Sequence, residues 1–146
     1  MKTLRSRKSV KELVLRARTA AEMMTPNPVS IGQESVASEA AAFLTRRGIS
    51  AAPVIDEAGR PVGEVSRSNL LAHYPKASAD RTPVRALMTP KIFCVRPYAT
   101  AREVVEIMIS LGVRRLFVVD DSDVLIGVVS ALDVVRHLRK RKRRAV

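Results

Sequence analysis

The chain has 146 residues, of which 47% are apolar and only 3% aromatic, and it carries a formal net charge of +12. That length fits one ordinary domain or two very small ones, with an aliphatic core built without tryptophan. No run of about 18 apolar residues occurs, so no membrane-spanning helix is expected, and a single cysteine rules out an internal disulfide. One unpaired thiol fits a reducing compartment, and the cytoplasm is the expected location. The charge is unevenly placed. Residues 1–18 hold seven Lys or Arg and one acid, and residues 136–146 hold seven and none. Residues 19–135 hold twelve against thirteen, so a nearly neutral body sits between two cationic ends.

Residues 1–19 form a basic extension. Val10, Leu13, Val14 and Ala17 recur at helical spacing, which predicts an amphipathic helix. The stretch lacks the apolar centre of a secretory signal. Its Arg-rich, acid-poor composition also suits a mitochondrial transit peptide, but the helical pattern runs straight on into Ala20, Ala21 and Met23.

Beyond this extension the chain repeats itself. Met24-Thr25-Pro26 recurs as Met88-Thr89-Pro90, and the same shift of 64 holds without a gap from 24–73 to 88–137. Twelve of those 50 pairs are identical, among them Gly48/Gly112, Asp56/Asp120, Gly63/Gly127, Ser66/Ser130 and His73/His137. A period of this kind marks duplicated structural units. We place the first at 20–73, a linker at 74–84, the second at 85–138 and a basic tail at 139–146.

Each unit reads β-α-β-β-α, a mixed α/β (α+β) architecture. An extended piece at 28–31 or 92–95 precedes a helix. The second of these helices opens with the capping box Thr100-x-x-Glu103 and carries Ala101, Val104, Val105 and Met108 on one face. The first shows a smaller face of Ala37, Ala40, Ala41 and Leu44. Gly48 and Gly112 suit left-handed C-caps. Strands at 52–55 and 116–119 end at Asp56 and Asp120, and short turns lead to strands at 61–65 and 124–129, each pair a hairpin. Ser66 and Ser130 open the closing helices. About 50 residues is marginal for an independent fold. The two units are therefore expected to pack face to face through their sheets, with pseudo-two-fold symmetry and a cleft between them.

The residues Met-Thr-Pro, Gly48 to Asp56, Gly112 to Asp120, Gly63…Ser66-x-x-Asn69 and Gly127…Ser130-x-x-Asp133 resemble the signature of a tandem pair of CBS domains, the arrangement called a Bateman module. The likeness covers about residues 20–138. It implies a regulatory, energy- or metabolite-sensing module with no catalytic activity of its own. The ligand it implies is an adenosine nucleotide (AMP, ADP or ATP) or S-adenosylmethionine in the inter-repeat cleft, with no cofactor required.

Laid onto this chain, the resemblance makes Asp133 the acceptor for ribose hydroxyls and Ser130 the hydroxyl at the helix start. Ile92, Phe93, Val113 and Val128 become the apolar walls around adenine, and Arg114 and Arg115 the cations that meet phosphate. A weaker second site falls at Val29, Ile49, Ser66 and Asn69, where an amide replaces the carboxylate. In such modules a phosphate bound at one copy often reaches the other copy's loop, so the Arg-rich loop serves Asn69. The resemblance also implies a homodimer, and the Ala-rich helix 37–44 suggests close approach of a partner helix.

Other chemistry is poorly supported. Two histidines without a cysteine cluster make a poor metal site, and no nucleophile–base–orienter set occurs. Cys94 lies in the apolar run 92–95 and is expected to be a buried, inert thiol. The tail 139–144 is six cations in a row and is expected to extend the last helix. It could contact nucleic-acid phosphates without sequence preference. The alternative function is therefore a nucleic-acid-binding or scaffold dimer acting through its basic ends.

Overall fold

The computed structural model describes residues 12–142. In chain order it contains β1 (Leu13–Leu15), α1 (Ala20–Met23), β2 (Thr25–Pro26), β3 (Ile31–Gly32), α2 (Ala37–Arg47), β4 (Ala51–Ile55), β5 (Pro61–Ser66) and α3 (Arg67–His73). Then follow β6 (Cys94–Val95), α4 (Ala101–Leu111), β7 (Arg115–Val119), β8 (Leu125–Ser130), α5 (Ala131–Arg136) and β9 (Leu138–Lys140).

The two copies adopt matching local structure for matching reasons. Gly48 and Gly112 terminate α2 and α4 with φ of 61° and 64°, a left-handed backbone that glycine enters without a Cβ penalty. The Asp56 and Asp120 carboxylates accept backbone N–H groups two and four residues on, which closes each hairpin turn. The face of α4 predicted from the sequence is buried at Ala101, Val104 and Met108. On α2 the buried residues are Ala37, Ala40 and Leu44, while Ala41 is exposed. Most of the small-residue stripe thus lines its own core and does not present a seam for a partner helix.

The copies exchange their leading segments. Thr25 and Pro26 of β2 pair antiparallel with Val128 and Gly127 of β8, in the second copy. Reciprocally, Thr89 bridges Glu64 of β5, in the first copy, with N···O distances of 2.9 and 2.8 Å in the two directions. The resulting sheets correspond: β2-β8-β7-β6 in one, and β3-β4-β5 with Thr89 along its outer edge in the other. The helix starts are exchanged as well. The Ala101 amide donates to the Arg18 carbonyl at 2.9 Å, and the Ala37 amide to the Thr82 carbonyl at 2.8 Å.

The two hydrophobic cores follow this exchange. Ala20 and Met23 lie in the core with Val104, Leu116, Val118 and Val129. Val84 and Leu87 lie in the core with Leu44, Val54 and Val65. Val84, at the end of the segment read from sequence as a linker, is fully buried.

Both ends of the described chain differ from expectation. The segment predicted as an amphipathic helix contains β1 instead, and the tail does not extend α5. His137 ends that helix and the chain turns into β9, which pairs antiparallel with β1 from Leu13↔Lys140 to Leu15↔Leu138. Four apolar residues at helical spacing also suit a short strand. Here pairing satisfies the backbone groups while Leu15 packs against the second core. Val10, the first residue of that helical pattern, lies outside the described residues.

The exchange explains a glycine in each copy. A Cβ at Gly63 meets Met88 Sδ at 2.6 Å and the Thr89 carbonyl oxygen at 2.8 Å; at Gly127 it meets the flexible Met24 side chain, with Cγ at 3.0 Å. Both alanine substitutions should therefore destabilise, Gly63→Ala by about 1–3 kcal/mol. Gly127→Ala should cost less, because a methionine side chain moves more easily than a backbone carbonyl. Chemical denaturation checks the order, and equal stability of both variants and the wild type contradicts this packing.

Candidate functional site

The exchanged edges bring residues of both copies around one cavity of about 270 Å3. Its walls are Ile92, Phe93 and Val113, the cations Lys91, Arg114 and Arg115, and Phe117, Thr89 and Glu64. Local structure fixes each contribution. In β7 the alternate residues Leu116 and Val118 enter the core, so Arg115 and Phe117 face the other way. Likewise Val65 of β5 enters the first core, leaving Glu64 on the opposite face. Phe117 is buried yet stands outside both core clusters. The loop before β7 is anchored by its main chain, since the Arg114 carbonyl accepts from the Ala131 amide at 2.8 Å.

The cavity lining combines apolar and cationic side chains. Lys91 Nζ sits 5.9 Å from the centre of the Phe93 ring, within cation–π range. Arg115 Nη1 lies 3.5 Å from Glu64 Oε2 and bridges the two copies across the cavity. Both partners are partly exposed, so this pair is worth about 0–1 kcal/mol. Arg114 is exposed and has no ion-pair partner among the described residues.

Asn69 lies beside this cavity. Its Nδ2 donates to Thr89 Oγ1 at 3.2 Å, and its Oδ1 accepts from the amide and hydroxyl of Ser66 at 2.8 and 2.7 Å. The α3 N-terminus is thereby tied to the wall of the cavity. Thr89 thus links Asn69 to the cavity that Arg114 and Arg115 line.

Val128, Ser130 and Asp133 are not among the cavity walls. They occupy the counterpart position, where Val128 pairs with Thr25. The expected site joined them to the apolar walls Ile92, Phe93 and Val113; the exchange of edges separates the two sets. Asp133 is 9% exposed, and its Oδ2 accepts from the Ser130 amide and hydroxyl at 2.8 and 2.9 Å. Its other oxygen lies 3.7 Å from Arg136 Nη1. The carboxylate is occupied by a complete capping box. Of the other first-copy residues named from sequence, Ile49 packs against the first core and Val29 is exposed.

Glu64, Thr89, Lys91 and Phe117 escaped the sequence reading. Two carried a signal: Phe117 alternates with core residues, and Glu64 places a charge inside an apolar strand at the out-facing position. Cys94 is exposed rather than buried, because β6 is an edge strand whose core residue is Val95. Partial desolvation, and secondarily the Asp123 carboxylate, push its thiol pKa up. No group of three or more His, Cys, Asp or Glu suited to hold a metal ion occurs among the described residues, and no helix among them is long and apolar enough to cross a membrane.

The CBS domain family model matches residues 20–76 and 84–140. The chain belongs to the CBS domain family and carries two such domains in tandem. It is similar to inosine-5'-monophosphate dehydrogenase of Methanocaldococcus jannaschii, at 28% identity over 119 residues, 81% of this chain. It spans only 23% of that enzyme's length. Among solved structures it is similar to CBSX2 of Arabidopsis thaliana in complex with AMP. There the TM-score is 0.70 and the identity 29%, over 81% of this chain and 93% of that one. The cytosolic domain of the Mg2+ channel MgtE in complex with ATP is also similar, with TM-score 0.70 and 31% identity over 82% of this chain and 48% of that one.

A thiol with a raised pKa holds little thiolate at neutral pH, and thiolate is the reactive form. Cys94 should therefore be alkylated by iodoacetamide more slowly than a small-molecule thiol at pH 7, the difference closing as the pH rises. Mass spectrometry of the intact chain follows the rate, and parity at pH 7 contradicts the desolvation.

Proposed function

We propose that this protein is a regulatory module that senses an adenosine nucleotide in the cleft between its two CBS domains and catalyses no reaction itself. One observation carries the reading: a single cavity holds apolar walls for a base and unpaired cationic capacity for phosphate, both supplied by the second copy, and Glu64 of the first copy closes it. Ile92, Phe93 and Val113 offer surface to adenine. Thr89 and Asn69 stand where ribose hydroxyls can be met. Arg114, Arg115 and Lys91 face the phosphates, the arginines through a planar fork that suits two phosphate oxygens at once. The AMP and ATP complexes of the similar proteins support this ligand class.

Glu64 limits the charge the cavity tolerates and favours a ligand with few phosphates, such as AMP. The same carboxylate leaves S-adenosylmethionine, a cation, as a ligand to test. Sensing follows from the Arg115–Glu64 pair. A phosphate that captures Arg115 releases Glu64 and with it one tie between the copies. The ligand shifts the arrangement only by its differential affinity for the two states. The Asp133 side is the secondary position. A homodimer belongs to the same proposal, resting on exposed Leu71 and Tyr74 of the first copy and Leu132 and Val135 of α5. The cytoplasm remains the proposed location.

A thermal-shift comparison of AMP, ADP, ATP and S-adenosylmethionine tests the reading, since a ligand that binds only the native state raises its stability. AMP should raise the melting temperature. Arg114→Ala should weaken it tenfold or more, in line with the roughly 1.5–3 kcal/mol of a charged hydrogen bond. Asp133→Ala should lower intrinsic stability by about 1 kcal/mol through loss of the cap, yet leave AMP binding in place. AMP binding lost in Asp133→Ala and kept in Arg114→Ala moves the site to the counterpart cleft. No response to any of these ligands contradicts the sensor.

A further inference from the structure

We propose that the β1–β9 ribbon is a docking surface for the phosphodiester backbone of nucleic acid. Strand pairing gathers cations that are more than a hundred residues apart in sequence. Arg16 donates its amide to the His137 carbonyl at 2.7 Å, and the ladder runs on to Leu13↔Lys140. Beside it lies a concavity lined by Arg16, Arg139, Lys140 and Lys142, with no carboxylate among them.

The ribbon's own acid, Glu12, is occupied by Arg141 at 3.1 Å. Arg139 Nη1 donates to the carbonyls of Arg136 and Leu138, which orients its guanidinium and leaves other donors open. Arg16, Lys140 and Lys142 have no ion-pair partner among the described residues.

Like charges held side by side repel. The backbone ladder and the packing of Leu15 and Ala17 against the second core hold them together here. A polyanion relieves that repulsion and releases its own counterions on binding, so the concavity and the ligand charge are complementary. A lipid surface is less well matched: Leu15, Ala17 and Leu138 are at least partly buried, Leu13 is the one large apolar side chain the ribbon exposes, and no aromatic residue stands beside it to enter an interface. Absence of aromatics also removes base stacking, so the contact is to phosphates and independent of sequence.

Fluorescence anisotropy of the full chain with a short labelled RNA duplex tests the proposal, with phosphatidylserine vesicles as a parallel probe. The duplex should bind at low salt, with log affinity falling linearly against log salt. The combined variant Arg16→Gln, Arg139→Gln, Lys140→Gln, Lys142→Gln should bind more than tenfold more weakly, and its salt slope should fall by about 3–4. Its circular dichroism and melting temperature confirm that it folds. Three results overturn the proposal: no duplex binding at low salt, duplex binding unchanged in the folded variant, or binding to the vesicles alone.

Discussion

The structure depends on the reciprocal exchange of strand edges between two copies of one unit. Thr25 completes the sheet of the second copy against Val128, and Thr89 lies against Glu64 along the sheet of the first. Neither copy closes its core without the segment that leads into the other: Ala20 and Met23 fill one core, and Val84 and Leu87 the other. A unit of about 50 residues buries too little apolar surface to stand alone, and exchange makes the pair a single folding unit. The Met–Gly contacts record the constraint directly, since Met88 crosses Gly63 and Met24 crosses Gly127 where any side chain on the glycine collides.

The exchange also builds the cleft. Thr89 of the second copy lies against Glu64 of the first, so Glu64 joins a cavity whose other walls come from the second copy. The copies have diverged where it matters chemically. The second offers Arg114 and Arg115 where the first has Ser50 and Ala51, and Glu64 stands where the second has Val128. Two clefts equivalent by symmetry therefore differ in charge. The Arg-lined cavity sits next to an amide, Asn69, while the buried carboxylate of Asp133 serves its own helix start.

Much of this was legible in the sequence. The shift of 64 revealed the duplication, and the fixed order of glycine, aspartate and serine around apolar runs gave the β-α-β-β-α unit and the family resemblance. Periodicity within one copy could not reveal which copy each edge joins, because Met-Thr-Pro has no pattern that distinguishes its own sheet from its twin's. That ambiguity placed Asp133 with the apolar walls Ile92, Phe93 and Val113. The ends were misread for a related reason. Leu13 and Val14 fit a helix or a strand equally, and the partner that decides, Leu138 to Lys140, lies at the far end of the chain. Cys94 looked buried because its neighbours are apolar, but a two-residue edge strand shields only Val95.

The central claim is that residues from both copies form one nucleotide cavity in which Arg114 and Arg115 hold phosphate. Calorimetric titration of AMP into the wild type and into the double variant Arg114→Ala, Arg115→Ala tests it most directly. The account predicts saturable binding to the wild type at one principal site per chain, with that binding abolished in a double variant that retains its fold. Undiminished AMP binding in that variant contradicts it.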